Sequence, residues 1–157
     1  MLASDGQVLT GLWFDGQKRL GGARVCGHEE RGLSVFSQAC RWLDIYFDGK
    51  EPGFLPMMRM QSTGFRIAVW RALLRIPFGH TATYGEIAEE VAEVRGIPRM
   101  SARAVGGAVG RNPLAIIVPC HRVVGSNGWL GGYAAGIGIK RSLLAMEGVD
   151  VDVFHAY

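Results

Sequence analysis

The sequence predicts an α+β fold: a small N-terminal antiparallel sheet with one helix, then a mostly helical half that contains a helix-turn-helix. Three observations lead there. Up to Gly22, turn dipeptides alternate with short apolar runs; from Leu33, apolar residues recur every three or four positions; beyond Thr63, short helical segments are separated by glycine and proline. With 157 residues, 48% hydrophobic and 20% charged, the chain is long enough to bury a core as one domain or two small ones.

The elements follow in order. Asp5-Gly6, Asp15-Gly16 and Gly21-Gly22 are turn signals around Val8-Leu9 and Gly11-Leu12-Trp13-Phe14, which read as antiparallel strands. The chain starts almost inside the first strand, which points to a short or trimmed edge. Leu33, Phe36, Cys40, Leu43 and Phe47 form one stripe of an amphipathic helix, so Cys40 is expected to pack as a small buried hydrophobe. Pro52, Gly53 and Pro56 end that pattern and set a boundary near residue 60, with an N-terminal α/β domain over 1–60 and a C-terminal domain over 61–157. Thr63 suits the N-cap of a helix with the stripe Phe65, Ala68, Val69, Ala72, Leu73 and Ile76, stopped by Pro77 and Gly79.

Two short helices, Thr83 to Ala92 and Ser101 to Gly110, flank a turn with Gly96 and Pro98, the helix-turn-helix pattern. Gly106 and Gly107 each cost about 1 kcal/mol relative to alanine in a helix, which implies close approach of a packed neighbour or of a DNA backbone. Arg103 is the long side chain at the start of this smooth surface; a phosphate contact, a wedge into a base stack or a solvated arginine would each account for it. Asn112-Pro113 ends the helix, and Leu114 to Val118 is a short buried apolar run. Glycine-rich turns at 125–132 and 136–138 precede a closing helix, Ile139 to Glu147, carrying Leu143, Leu144 and Met146.

Composition narrows the function classes. No stretch approaches the roughly 18 apolar residues of a membrane span, and no basic-then-apolar leader precedes Ala3-Ser4-Asp5, so a cytoplasmic protein without a membrane partner is expected. Three cysteines, Cys26, Cys40 and Cys120, lack a disulfide framework, and free thiols are expected. Residues 1–60 balance seven Lys/Arg against seven Asp/Glu. From Val94 through Met146 there is no acid, while Arg95, Arg99, Arg103, Arg111, Arg122, Lys140 and Arg141 are basic, a field suited to a polyanion.

The chemistry centres on Pro119-Cys120-His121-Arg122-Val123. A thiol, with a pKa of about 8.5, becomes a nucleophile when a cation, a base or a helix N-terminus favours its thiolate. Adjacency in sequence does not by itself place the His121 ring on the sulfur, so a water or a bend is needed, and Glu147 is the one acid of the last third, before the tail, able to orient that histidine. On the pair alone, a packed thiol beside a surface histidine is the readier reading. Cys26-x-His28 lacks a second pair of metal ligands, so neither a metal nor a cofactor is expected.

The stretch from Ala102 through Val124, Ala-Arg-Ala-Val-Gly-Gly-Ala-Val-Gly-Arg-Asn-Pro-Leu-Ala-Ile-Ile-Val-Pro-Cys-His-Arg-Val-Val, closely resembles the O6-alkylguanine-DNA alkyltransferases. The resemblance runs from about Thr63 to Gly148, and Trp13-Phe14-Asp15-Gly16-Gln17 looks like the family's more variable N-terminal part. It implies an RNase H-like N-terminal domain and a winged helix-turn-helix in the C-terminal one. It also implies a monomer with no obligate protein partner, which acts on double-stranded DNA containing O6-alkylguanine, with O4-alkylthymine a second candidate. By the same resemblance Cys120 is the alkyl acceptor, His121 its activator through a water, Glu147 the support of His121, Asn112 the brace of the turn and Tyr84 a proton donor to the guanine. Val123 with the Cys120 carbonyl, Tyr133, Ala134, Lys140 and Val109 would form the base pocket. Arg103 would fill the vacated stack, with Ala102, Ala104, Gly106 and Arg111 along the DNA.

Three departures accompany the likeness. Ala134 stands where many members have a serine, the stretch between Tyr84 and Arg103 is a few residues longer than in shorter members, and Asp5 and Thr10 occupy positions where some members hold a metal. No zinc is expected. A non-catalytic binder, an operator-reading regulator and a cysteine hydrolase are the rival readings; Cys120 speaks against the first and the lack of Gln and Asn on the second short helix against the next.

Overall fold

The structure, a computed structural model, describes residues 1–17 and 32–155. The expected Gly21-Gly22 turn and the Cys26-x-His28 pair lie outside the described residues. Strand β1 (Leu2–Ser4) pairs antiparallel with β2 (Leu9–Leu12), Leu2 opposite Leu12 and Ala3 opposite Gly11. Asp5 sets the turn between them: its Oδ1 accepts from the Gln7 and Val8 amides at 3.0 Å, its Oδ2 pairs with Arg59 at 2.6 Å, and Gly6 takes φ 98°. Those bonds hold the Asp5 carboxyl below its usual range. The far side of β2 continues into later parts of the chain. The Leu9 amide donates to Met57 O, the Leu12 amide to Pro113 O, and Leu12 O accepts from the Ala115 amide. Ordinary strand pairing thereby ties the N-terminal hairpin to the segment that leads into Cys120.

Helix α1 (Ser34–Phe47) forms where the spacing predicts, but with a different stripe inward. Val35, Ala39, Trp42 and Tyr46 are buried; Leu33, Phe36 and Leu43 lie at the margin of the core; Phe47 is 49% exposed. Cys40 is exposed, so its expected burial is corrected. Both stripes satisfy the helical period, and the one turned inward is the one in which Trp42 stacks on Tyr46 and Tyr46 meets the Phe78 and His121 rings.

The next three helices start at hydroxyl caps. The Thr63 side chain accepts from the Arg66 amide at the start of α2 (Gly64–Leu73), and Ser101 from the Ala104 amide at the start of α4 (Ala102–Val109). Helix α3 (Tyr84–Val94) opens on a capping box: Thr83 Oγ1 accepts from the Glu86 amide at 3.1 Å, and the Glu86 carboxylate accepts from the Thr83 amide at 2.6 Å. Helices α2, α3 and α4 pack on one another, and the Trp70 indole donates to Ala108 O at 3.0 Å. A two-residue parallel pair, β3 (Ala82–Thr83) with β4 (Val123–Val124), lays the start of α3 beside the exit of the Cys120 segment. Helix α5 (Ile137–Met146) closes the described chain.

Among the described residues the fold is thus α+β, with five α-helices and two small sheets. The main hydrophobic cluster draws on both sides of residue 60, joining Leu9, Leu12, Trp42 and Tyr46 to Trp70, Leu114, Ile117 and Cys120. No helix among those residues is long and apolar enough to cross a membrane.

Loss of one cap measures how much local sequence contributes. Thr83→Ala removes a half of the capping box while leaving the core intact, and is expected to cost about 1 kcal/mol of stability in urea denaturation, with an unchanged slope.

Candidate active site

The site is built on the loop between α4 and β4. Asn112 holds this loop from inside: Oδ1 accepts from the Leu114 amide at 3.0 Å, and Nδ2 donates to Val118 O at 2.7 Å. The same Nδ2 lies 3.1 Å from Cys120 Sγ. Ile116 sits at φ 67°, a left-handed conformation costly for a β-branched residue, and every residue from Asn112 to Val118 is buried. Leu114 to Val118 was expected as a buried apolar run, and it is a turn-rich one rather than a strand. Pro119 leads into a short 3-10 turn, Cys120–Arg122, which aims three consecutive side chains into the interior.

Cys120 is 8% exposed. Burial pushes its thiol up, and the Asn112 hydrogen bond and the Lys140 charge oppose that only in part, so the resting group is the neutral thiol. The buried Tyr133 hydroxyl faces the sulfur and has no other partner among the described groups. Burial, with the sulfur's charge, holds that phenol far above its usual range. Lys140 is fully buried, donates from Nζ to Val123 O and Leu130 O, and is pulled down to about 8 by its desolvation.

Behind the sulfur stands a carboxylate with five hydrogen bonds. Glu147 Oε1 accepts from Tyr46 Oη at 2.7 Å, from His121 Nε2 at 2.7 Å and from an Arg122 terminal nitrogen at 3.1 Å. Its Oε2 accepts from Arg122 Nε at 2.8 Å and the Gly79 amide at 3.3 Å. Burial alone would raise the carboxyl, but the bonds from His121, Arg122 and Tyr46 dominate and hold it at about 2. Desolvation lowers His121 despite Glu147, leaving a neutral ring at neutral pH. Because Nε2 faces the carboxylate, the ring proton belongs on Nε2. Nδ1 is buried and has no hydrogen-bond partner among the described residues, so its lone pair is the free base of the site.

A cavity of about 780 Å³ opens over Cys120, within the size range of ligand sites. Tyr84, Val109, Asn112, Tyr133 and Ala134 line it with the cysteine, and Ala102, Arg103 and Gly106 of α4 border the same space. Of the residues expected to form the site, Ala104 and Arg111 lie on exposed surface outside that lining, Arg111 folding back onto Gly107 O at 2.9 Å. His121, Glu147, Lys140 and Val123 lie buried behind it. A Cβ on Gly106 would lie 3.6 Å from the Tyr84 ring and one on Gly107 3.6 Å from the Arg111 guanidinium, ordinary van der Waals contacts, so packing within the described residues requires neither glycine. Gly131, at φ 76°, would bring a Cβ to 2.9 Å from the Tyr84 hydroxyl.

Two residues escaped the sequence reading. Arg122 is buried, clamps Glu147 and donates to Ile76 O at 2.7 Å, so it leaves the basic surface field to which it was assigned, as does Lys140. Its position next to a cysteine-histidine pair gave no sign of burial. Tyr46 falls outside the stripe through Cys40; its signal in the sequence is the alternative stripe through Trp42 and Tyr46.

Residues 64–149 match the model of the DNA-binding domain of 6-O-methylguanine DNA methyltransferase. The chain belongs to this family. It is 46% identical over 147 residues to the methylated-DNA–protein-cysteine methyltransferase of Mycobacterium leprae, covering 94% of this chain and 84% of that one. It is 51% identical over 113 residues to the Methanosarcina acetivorans protein of the same name, covering 72% and 69%. A crystal structure of Mycobacterium tuberculosis OGT in complex with DNA superposes with a TM-score of 0.79 at 42% identity, covering 98% of this chain and 86% of that one. The segment matched to the methyltransferase family holds Cys120, His121, Arg122 and Glu147; Tyr46 falls outside it.

The depressed Glu147 carboxyl makes stability depend on pH. A carboxylate lowered from 4.5 to about 2 on folding stabilises the native state above pH 4.5, by about 3 kcal/mol, and that contribution disappears as pH falls toward 2. Glu147→Gln is expected to lose about 3 kcal/mol at pH 7, because the Arg122 charge stays buried without its anion, and to flatten the stability curve between pH 4.5 and 2. Urea denaturation across that range checks both.

Proposed function

We propose that this chain repairs DNA by direct reversal, moving the alkyl group of O6-alkylguanine irreversibly to Cys120 Sγ. The observation that carries the reading is a buried thiol at the base of a cavity, with Asn112 on the sulfur and a neutral histidine, held by a carboxylate, behind it. The O6 atom lies inside the duplex, so the nucleotide must rotate out to reach the thiol. We read α3 and α4 as the helix-turn-helix of a winged element, with the β3–β4 pair beside it, and the hairpin with α1 as the RNase H-like part. The exposed face of α4 carries Ala102, Arg103, Ala104 and Gly107, small except for one arginine, which suits entry into a minor groove with Arg103 in the vacated stack. Because any guanine can be damaged, binding leans on phosphates and shape, with Arg111 among the phosphate contacts.

The chemistry follows from the resting state. The Cys120 proton passes through a water to His121 Nδ1, and the Glu147 carboxylate balances the positive charge of the imidazolium that forms. Lys140, desolvated beside the sulfur, favours the thiolate. The thiolate attacks the alkyl carbon in line, an S–C bond forms, the C–O6 bond breaks and its electron pair stays on the base. Tyr84, whose hydroxyl burial keeps protonated, supplies a donor to that developing charge, and the base leaves as guanine with one proton in place of the alkyl group. Val109, Tyr133 and Ala134 wall the base; with a methyl side chain at 134, the donor to O6 is a backbone amide. The Cys120 carbonyl accepts from the exocyclic amine of guanine and Val123 O, already held by Lys140, offers its second lone pair. The thioether has no leaving group for water to displace, so one monomer repairs one lesion without a cofactor. O4-alkylthymine presents the same alkyl–oxygen bond.

The intact mass after incubation with O6-methylguanine duplex tests the reading. One stoichiometric methyl adduct on Cys120, absent in Cys120→Ala, is the expected outcome; multiple turnover points to a hydrolase, and binding without an adduct to a non-catalytic reader. Arg103→Ala is expected to slow transfer from duplex DNA about tenfold or more while leaving the reaction with free O6-benzylguanine unchanged, since only the duplex needs a base flipped. Single-turnover rates on the two substrates provide that comparison.

A further inference from the structure

Tyr46 lies on α1, in the N-terminal part of the chain, yet its hydroxyl stands inside the hydrogen-bond group that serves Cys120. It is fully buried. Its oxygen is 2.7 Å from Glu147 Oε1 and 3.2 Å from His121 Nε2, so that phenol, imidazole and one carboxylate oxygen form a closed three-membered cycle. The ring is fixed from several sides: stacked on Trp42 at 5.4 Å, and edge-on to Phe78 at 6.1 Å and to His121 at 6.2 Å. Burial and the neighbouring carboxylate keep the phenol protonated throughout the working range, so it always donates its proton to Oε1.

We propose that Tyr46 is a positioning residue for the alkyl transfer, which sets the basicity of His121 by sharing Glu147 Oε1 with its Nε2–H. This rests on the reading of His121 as the base for Cys120. The phenol acts on the histidine in two opposed ways. Its O–H competes for Oε1, weakening the carboxylate's hold on the ring proton and lowering the ring's basicity; its lone pair accepts from Nε2–H, which raises it. The first bond is a short one to an anion and the second is long and neutral, so the competition prevails. The same bond holds Oε1 in place, fixes the Nε2–H tautomer and leaves Nδ1 free for the thiol proton.

The other groups facing His121 are accounted for. Glu147 approaches from the end of α5, Lys140 from within α5, Arg122 and Cys120 from the histidine's own turn, and Tyr133 from the loop before α5, with the ring 6.5 Å away. Among them the Tyr46 hydroxyl and Arg122 hydrogen-bond the carboxylate that holds the histidine, and the phenol alone can be altered without removing a charge.

Two replacements at position 46 test this, read by the pH dependence of Cys120 alkylation by free O6-benzylguanine from pH 5 to 9, and by 15N NMR titration of the His121 ring in the unreacted protein. Tyr46→Phe keeps the ring and its packing and removes only the hydroxyl. Its acid limb and the His121 titration are expected to move up together by about 0.5–1 pH unit, with a rate about three- to tenfold lower near pH 6 and a near-normal alkaline plateau. Substitution of 3,5-difluorotyrosine, a more acidic phenol of similar shape, is expected to move both the other way. Should Tyr46→Phe not fold, the fluorinated protein decides the matter. A wild-type pH profile and His121 titration in the folded variants would overturn the proposal, as would a loss of rate equal at every pH, the mark of a purely structural residue. Failure of the parent protein to form any adduct removes the alkyl-transfer reading instead; the NMR titration still reports whether Tyr46 tunes His121.

Discussion

A single buried carboxylate gathers the parts of this molecule. Glu147 caps the end of α5, and its oxygens receive bonds from α1 through Tyr46, from the loop after α2 through Gly79, and from the Cys120 turn through His121 and Arg122. An unpaired charge at that depth would be prohibitive. Five hydrogen bonds from four groups, one a guanidinium in bidentate contact, remove the penalty and turn the carboxylate into a geometric reference for everything around it. The arrangement is also brittle, since its donors come from separate parts of the chain and the bonds from Tyr46, His121 and Arg122 are buried from water.

That dependence explains which features were legible in the sequence. Local features were. The Thr63 cap, the short helices on either side of Gly96 and Pro98, and the closing helix before Gly148 are written in residues within a turn of where they act. The Pro119–Val123 segment, with the resemblance it carries, pointed to the cysteine, the histidine and the distant Glu147. What was not legible depends on long-range contact. The inward stripe of α1 differs from its rival only in which side chains fit against Phe78 and His121, residues far along the chain, and the burial of Arg122 follows from a carboxylate 25 positions away. Periodicity has no access to either.

The glycines divide by the same physics. Gly131 is bare because Tyr84 occupies the space where a side chain would be, and Gly79 leaves room for the Glu147 backbone carbonyl, 2.9 Å from where a Cβ would sit. Gly106 and Gly107 on α4 would each meet only ordinary contacts, so internal packing does not account for them. Close approach within the protein and smoothness of an exposed helix are thus separate reasons for glycines in one chain.

The burial of Cys120 has a consequence of a different kind. On the single-turnover chemistry proposed for Cys120 the thiol has to survive until its one reaction, and a resting thiolate open to solvent would be lost to peroxides and small disulfides. Here the sulfur is a neutral thiol at the base of a cavity, whereas Cys40 stands on the surface and meets dissolved oxidants first. In the proposed chemistry activation waits until a substrate fills the cavity, so the burial that slows the thiol at rest also gives the unspent protein its shelf life.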